Sequence, residues 1–419
     1  MTVSVRRRRL LALTGMFAAI VSANPAWAEP APPFSQLLRQ AQQAPRVEAL
    51  QSDVEQAQGL AMQARARPNP TLSLYGENFA GSRPYDGFGG TQTTFQINQP
   101  LELGGKRDAR IAAGRAVVTA AQLRSQEGRL TFAFDLARGY GAVELAEKRI
   151  ELAEDEVEEA TADLAMARAL VASGKEARLR ALQAETELNT LEADLAMTRA
   201  ERAAALLRLS ALAGAETPFT GLSESLFERQ AARPLSGPVD PMQTAAVRVA
   251  EAEEDAARRR VTLQRKAAIP DITAQFGVRR LEQEGSNALV AGVSIPLHIF
   301  DRNGGNIAAA QAEARGAQAR AQEARLDARA EVEAAQVLLT AAETRARATD
   351  RTLATAEETY RLARIAYEAG KAPLIELLAT RHGLGVARGV RLDAAAARFE
   401  AAANLARLQG LTMTGEPVQ

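Results

Sequence analysis

The chain writes one pattern twice, and that duplication limits its fold more than any other feature. Pro70 matches Pro270, Pro100 matches Pro296 and Gly174 matches Gly370, at offsets of 200, 196 and 196 residues. Each copy contains a helical run without proline, 68 residues over 105–172 and 67 residues over 303–369. At about 1.5 Å per residue such a helix reaches roughly 100 Å, far beyond the width of a globular core. Two such units must lie side by side. Shorter helical patterns at 34–67, 176–213, 241–268 and 374–409 are placed to run two by two, end to end, beside the long ones. Ser173–Lys175 and Gly370–Pro373 then form the hairpin turns at the far end.

The near end carries strands. Segments 70–80, 91–101, 270–280 and 288–297 alternate, with Leu72 and Leu74, Phe95 and Ile97, or Ala274, Phe276 and Val278 on one face. Polar residues such as Ser73, Thr94, Gln96 and Asn98 take the other. Pro100 and Pro296 are expected to end strands, because proline cannot donate to a ladder. Gly104, Gly105, Gly304 and Gly305 are expected to supply the backbone turn into each long helix. The resulting map has a leader at 1–28, a first repeat at 29–213 and a connector at 214–240. A second repeat at 241–410 and a short tail at 411–419 complete it.

The leader reads as an export signal: the basic stretch "VRRRR", an apolar stretch, and Ala26-Trp27-Ala28 before Glu29. Cleavage takes four arginines from the 51 basic residues, leaving 47 against 51 acidic ones, a net charge of −4. That balance gives no support to nucleic-acid binding. The absence of cysteine excludes disulfides, thiolate metal sites and a lipidated N-terminal cysteine. Aromatics are only 4% of the chain, as suits long thin helices rather than a wide core. No later apolar run is long enough for a transmembrane helix.

Ten-residue strands with one apolar and one polar face suit a transmembrane β-barrel. Four strands cannot close one, and an open edge in lipid is too costly. Subunits must therefore pool strands, two giving eight and three giving twelve. The soluble alternative is a pair of exposed hairpins on a helical stalk.

The strings "ENFAG", "INQPLELGGKR", "GVRRLEQEG", "ALVAGVSIPL" and "FDRNGGNIAAA" resemble the outer membrane factor (TolC-like) family, most closely its heavy-metal cation efflux branch. The resemblance spans the mature chain. It implies a mainly α fold with transmembrane β: a homotrimer with a twelve-stranded outer-membrane β-barrel and a periplasmic α-barrel of long helical hairpins. An equatorial region, to which 214–240 contributes, would surround that α-barrel. The family's members are passive exit ducts joined to a periplasmic adaptor (membrane fusion) protein and an inner-membrane resistance-nodulation-division pump. Outer-membrane lipid is the remaining partner implied. The missing cysteine leaves anchoring to the barrel.

The resemblance also implies roles for the hairpin turns. Gly174, Lys175, Gly370 and Lys371 would contact the adaptor. Glu376, six positions past the second tip glycine, matches an acidic position where three subunits converge on the axis; Arg180 is its counterpart in the first repeat. The alternative for Glu376 is a solvated helix-surface glutamate. The Gly-Lys pairs are not phosphate loops, since the Walker glycine and Ser/Thr positions hold Ala169 and Glu176, or Ile365 and Ala372.

The acidic run Glu144–Ala160 fits either a tunnel lining that favours cations or a solvated face with i,i+4 pairs. His298 and His382 lie far apart, so no resident metal site or cofactor is expected. No catalytic grouping stands out, which excludes an enzyme reading. The resemblance makes heavy-metal cations the first cargo expected, with drugs and other small organic molecules the alternative. A periplasmic adaptor is the weaker alternative, because an adaptor brackets one hairpin where this chain has two.

Overall fold

A computed structural model describes residues 29–232 and 237–417. The expected leader, and the parts of the connector and tail at 233–236 and 418–419, lie outside them. The first repeat runs α1 (Phe34–Gln40), α2 (Pro45–Gln63), β1 (Thr71–Glu77), β2 (Gln92–Leu101), α3 (Lys106–Ala172) and α4 (Arg178–Ala213). The connector holds α5 (Leu226–Ala232). The second repeat runs α6 (Ala245–Ala267), β3 (Ile272–Leu281), β4 (Ser286–Ser294), α7 (Gly304–Glu368) and α8 (Leu374–Leu408).

The two long helices organise the rest. α2 covers the N-terminal half of α3, where Val54 and Ala57 meet Ala121. α4 covers the C-terminal half, through Arg199–Glu154 and Arg168–Glu185. The two short helices meet end to end, with Gly214 against Ala44. On the other side of α3 the pair α6 and α8 repeats the arrangement, through Glu253–Arg124 and Asp393–Arg149. α7 then closes the wall against α6 and α8. The cross-section is four helices wide, with α2 and α4 on one border and α7 on the other. Buried alanines make this close approach possible: in α7, Ala310 and Ala317, and then Ala321, Ala328 and Ala335, recur every seven residues.

Each helical hairpin turns through the same device. Gly174 has φ 74° and Gly370 φ 68°, and the following Lys175 and Lys371 donate backbone bonds to Leu170 and Ala366 at 2.9 and 2.8 Å. These are Schellman C-caps, in which a left-handed glycine satisfies the last carbonyls of a helix.

The core is thickest half-way along α3. Phe34, Leu37, Phe132, Leu136, Tyr140 and Leu209 are buried there with the connector residue Leu226. Phe34 meets Tyr140 edge-on at 6.1 Å, and the Tyr140 hydroxyl donates to the Glu224 carbonyl at 3.2 Å.

The strands form one antiparallel sheet, ordered β1-β2-β3-β4. Registered rows such as Leu72–Ile97–Phe276–Ala291 put one apolar face outward. Leu289 on that face is 90% exposed, while Thr94 on the polar face is 2% exposed. A polar ladder backs the second face: Asn98 donates to Ser73 at 2.8 Å and Gln96 to Asn98 at 2.6 Å.

Five expectations need correction. The helix expected over 34–67 breaks at Ala44, which is extended because it precedes Pro45. In the second repeat a 3₁₀ turn, Pro241–Gln243, occupies the start of the helix expected at 241. β1 stops at Glu77 because Asn78 turns left-handed at φ 57°. The two Gly-Gly pairs also differ. Gly104 and Gly105 have φ 68° and 74°, but in the second repeat Asn303 takes the left-handed turn at φ 59° and Gly304 and Gly305 lie in the first turn of α7. Asparagine tolerates the left-handed region, so the turn can fall on Asn303, one residue before the glycines. Pro100 sits within the end of β2, paired with Thr273, and Pro296 lies two residues beyond β4.

This difference is measurable. Gly104→Ala forces a side chain into the left-handed region and against Ile269, costing about 1–2 kcal/mol for the backbone alone. Gly304→Ala meets nothing within 4 Å and gains about 0.5–1 kcal/mol of helix preference. Thermal unfolding followed by circular dichroism should show a lower Tm for the first and an unchanged or higher Tm for the second.

Candidate duct and hairpin tips

The two expected tips end the helical wall. Glu376 is exposed in the first turn of α8, where its charge meets the positive end of the helix dipole. Arg180 is half-buried in the first turn of α4 and donates to Gln183 at 3.0 Å. Among the described residues no ion pair joins Glu376 to Arg180. Lys175 and Lys371 are exposed just past the tip glycines.

A charged cluster above the tips was not read from the sequence. Arg381 of α8 is 4% exposed. Its guanidinium donates to Asp163 of α3 at 2.9 Å and to Glu187 of α4 at 3.2 Å. It joins the second hairpin to both helices of the first. Burial pushes the Asp163 carboxyl above the usual range, and the Arg381 charge opposes that. The available signal was a charge on an apolar stripe. Asp163 stands among Ala160, Leu164 and Ala167, and Arg381 among Leu374, Leu377 and Leu384, all buried. Beside the cluster, Asp155, Glu158, Glu159, Tyr360 and Arg364 line an acidic cavity of about 330 Å³ between α3 and α7.

In the acidic run Glu144–Ala160, Glu151, Glu154, Asp155 and Glu158 are exposed, while most of the run's ion pairs lead to other helices. Only Lys148–Glu151, at 3.1 Å, is a pair along the helix. Glu147 and Glu154 bind Arg202 and Arg199 of α4, and Glu159 binds Arg388 of α8. Glu144 is buried and accepts bonds from the Ser225 hydroxyl and the Leu226 and Phe227 amides. It thereby caps α5 and fixes the connector. Burial pushes its carboxyl up against the pull of those hydrogen bonds. Periodicity could not reveal these partners, because they come from elements 45 to 229 residues away.

His298 faces the Ala268 carbonyl at 2.9 Å. Among the described residues no group of three or more histidine or carboxylate side chains could hold a metal ion. Among the same residues no helix is long and apolar enough to cross a membrane.

The family model for outer membrane efflux proteins matches residues 37–215 and 243–411, one match per repeat. The chain belongs to this family. Among relatives, the nickel and cobalt resistance protein CnrC of Cupriavidus metallidurans is 44% identical over 299 residues, 71% of each chain. The nickel-cobalt-cadmium resistance protein NccC of Alcaligenes xylosoxydans xylosoxydans is 37% identical over 381 residues, 91% of this chain and 87% of that one. Among solved structures, CusC superposes with a TM-score of 0.77 over 90% of this chain and 92% of its own, at 19% identity. The outer membrane channel CmeC of Campylobacter jejuni also gives 0.77, at 14% identity, covering 92% of this chain and 87% of its own. The fold is thus that of the TolC-like outer membrane channels. Family members are channel components, and this chain is one.

The buried triad gives a local prediction. Arg381→Ala leaves Asp163 buried without a partner and should cost about 3–5 kcal/mol. Hydrogen exchange should quicken in 160–188, and the double variant Arg381→Met with Asp163→Leu should recover most of the protection.

Proposed function

We propose that the chain is the outer-membrane exit duct of a tripartite efflux system and that its cargo is heavy-metal cations. The observation that carries the reading is the sheet's polarity. Its apolar face is exposed and its polar face is internally bonded, at one end of a helical wall about 100 Å long. Such a sheet faces lipid outward and water inward.

Among the described residues, its border strands β1 and β4 each have only one neighbour. In lipid those edges need partners, and three copies supply a closed ring of twelve strands. The helical wall asks for the same operation. Leu60, Met62 and Met197 on α2 and α4, and Leu326, Val337 and Leu338 on α7, are exposed on its two borders. A homotrimer covers one border with the other.

The hairpin tips, with Gly174, Lys175, Gly370 and Lys371, are then the contacts for a periplasmic adaptor, which links the duct to an inner-membrane resistance-nodulation-division pump. Glu376 is the candidate for a carboxylate ring at the constriction. The connector at 214–240 belongs to an equatorial collar, supported by the bonds from Glu144 and Tyr140 to its residues. The duct performs no chemistry; energy and cargo choice reside in the pump and adaptor. The likeness to CnrC, a nickel and cobalt resistance protein, and to NccC, a nickel-cobalt-cadmium resistance protein, favours metals over drugs.

A deletion strain and its complemented control, grown across zinc, cobalt, cadmium, nickel, copper, silver and several antibiotics, test the cargo. Hypersensitivity confined to metals is expected; hypersensitivity confined to antibiotics and dyes would transfer the duct to drug export. For the gate, Glu376→Ala should raise conductance and lower cation preference in planar bilayers. Unchanged recordings would return Glu376 to an ordinary surface role.

A further inference from the structure

The polar face of the sheet carries charge at two strand positions, Glu77 of β1 and Arg279 of β3. They are bound to each other, Arg279 Nη2 to Glu77 Oε2 at 3.2 Å. The same guanidinium donates to Thr94 Oγ1 at 3.0 Å and to Gln92 Oε1 at 3.2 Å. One arginine thus fastens across three strands, and its charge is matched by one carboxylate. The other positions on this face are neutral, among them Ser73, Tyr75, Gln96, Asn98 and Gln275.

Position along the strands matters as much as pairing. Glu77 and Gln92 sit where β1 turns towards β2, and Arg279 lies two residues before the end of β3. These ends are the ones remote from the helices. If the polar face lines the duct, as the proposed function requires, threefold repetition puts three such pairs around its outer mouth.

We infer that Glu77 and Arg279 form a charge-compensated collar that sets the ion preference of the outer mouth. An uncompensated arginine ring there would raise a positive potential across the exit path and oppose cations. Glu77 cancels it at hydrogen-bond distance, where the interaction is strongest. The collar lets inorganic cations leave without binding them, because Arg279 already holds the carboxylate. It is separate from the Glu376 ring, which lies past the hairpin turn at the opposite end of the wall.

The test is the reversal potential of purified channels in planar bilayers under a potassium chloride gradient. Glu77→Gln should shift the permeability ratio towards chloride by roughly two- to tenfold. Arg279→Gln should shift it towards potassium, and the double variant should return close to the parent. Because the chain has no cysteine, Glu77→Cys gives a unique thiol. An anionic methanethiosulfonate on it should restore the parent ratio, and a cationic one should move the ratio further towards chloride. A merely structural role for the pair would give no such dependence on reagent charge. Channels that form normally with unchanged ratios in every variant would overturn the collar while leaving the duct intact. No channels from the parent protein would overturn the duct reading and the collar together.

Discussion

A backbone in lipid has no water to satisfy its N–H and C=O groups, and the rest of this molecule answers to that constraint. The four-strand sheet turns its leucines, valines and phenylalanines outward and bonds its polar side chains to each other within the second face. Such a sheet is stable only where hydrocarbon covers the first face and where its two borders find strands. Neither condition can be met by one chain. Under the proposed function, the repeat of helix, hairpin and helix is a sector of a ring.

The helices extend that sector away from the membrane. A long helix has no thick core to hold it, so its stability comes from close packing of small residues and from charges on its neighbours. α3 shows both. Its N-terminal half is lined with buried alanines, and its C-terminal half exchanges ion pairs with α4 and α8. The joint half-way along is where large side chains gather, and there the connector is tied down by Glu144 and Tyr140. The wall therefore holds its largest apolar cluster at its middle. Near the tips a smaller apolar cluster around Leu164, Tyr367 and Leu377 and the buried Arg381 triad join the hairpins.

Much of this was legible in the chain because it depends on local periodicity. A helix or a strand of one-sided polarity declares itself in spacings of three to four or of two residues, and proline and glycine mark the ends. Legibility failed where the determinant was a partner distant in sequence or a backbone angle. Glu144 looked like one charge among many in an acidic run, because Ser225 and Leu226 are some eighty residues away. Gly304 and Gly305 looked equivalent to Gly104 and Gly105, yet the left-handed turn falls on Asn303, a residue type that tolerates it.

The sequence by itself determined the duplication, the long helices, the hairpin turns at Gly174 and Gly370, and the alternating strands, since each follows from the conformational preferences of neighbouring residues. Tertiary structure decided which charges meet. Glu77 finds Arg279 across a strand, Asp163 finds Arg381 across 218 residues, and the acidic run finds arginines on α4 and α8. The physical reason is that an ion pair is set by distance in space. Side chains remote in the chain come within about 3 Å only after the helices and strands have taken their register.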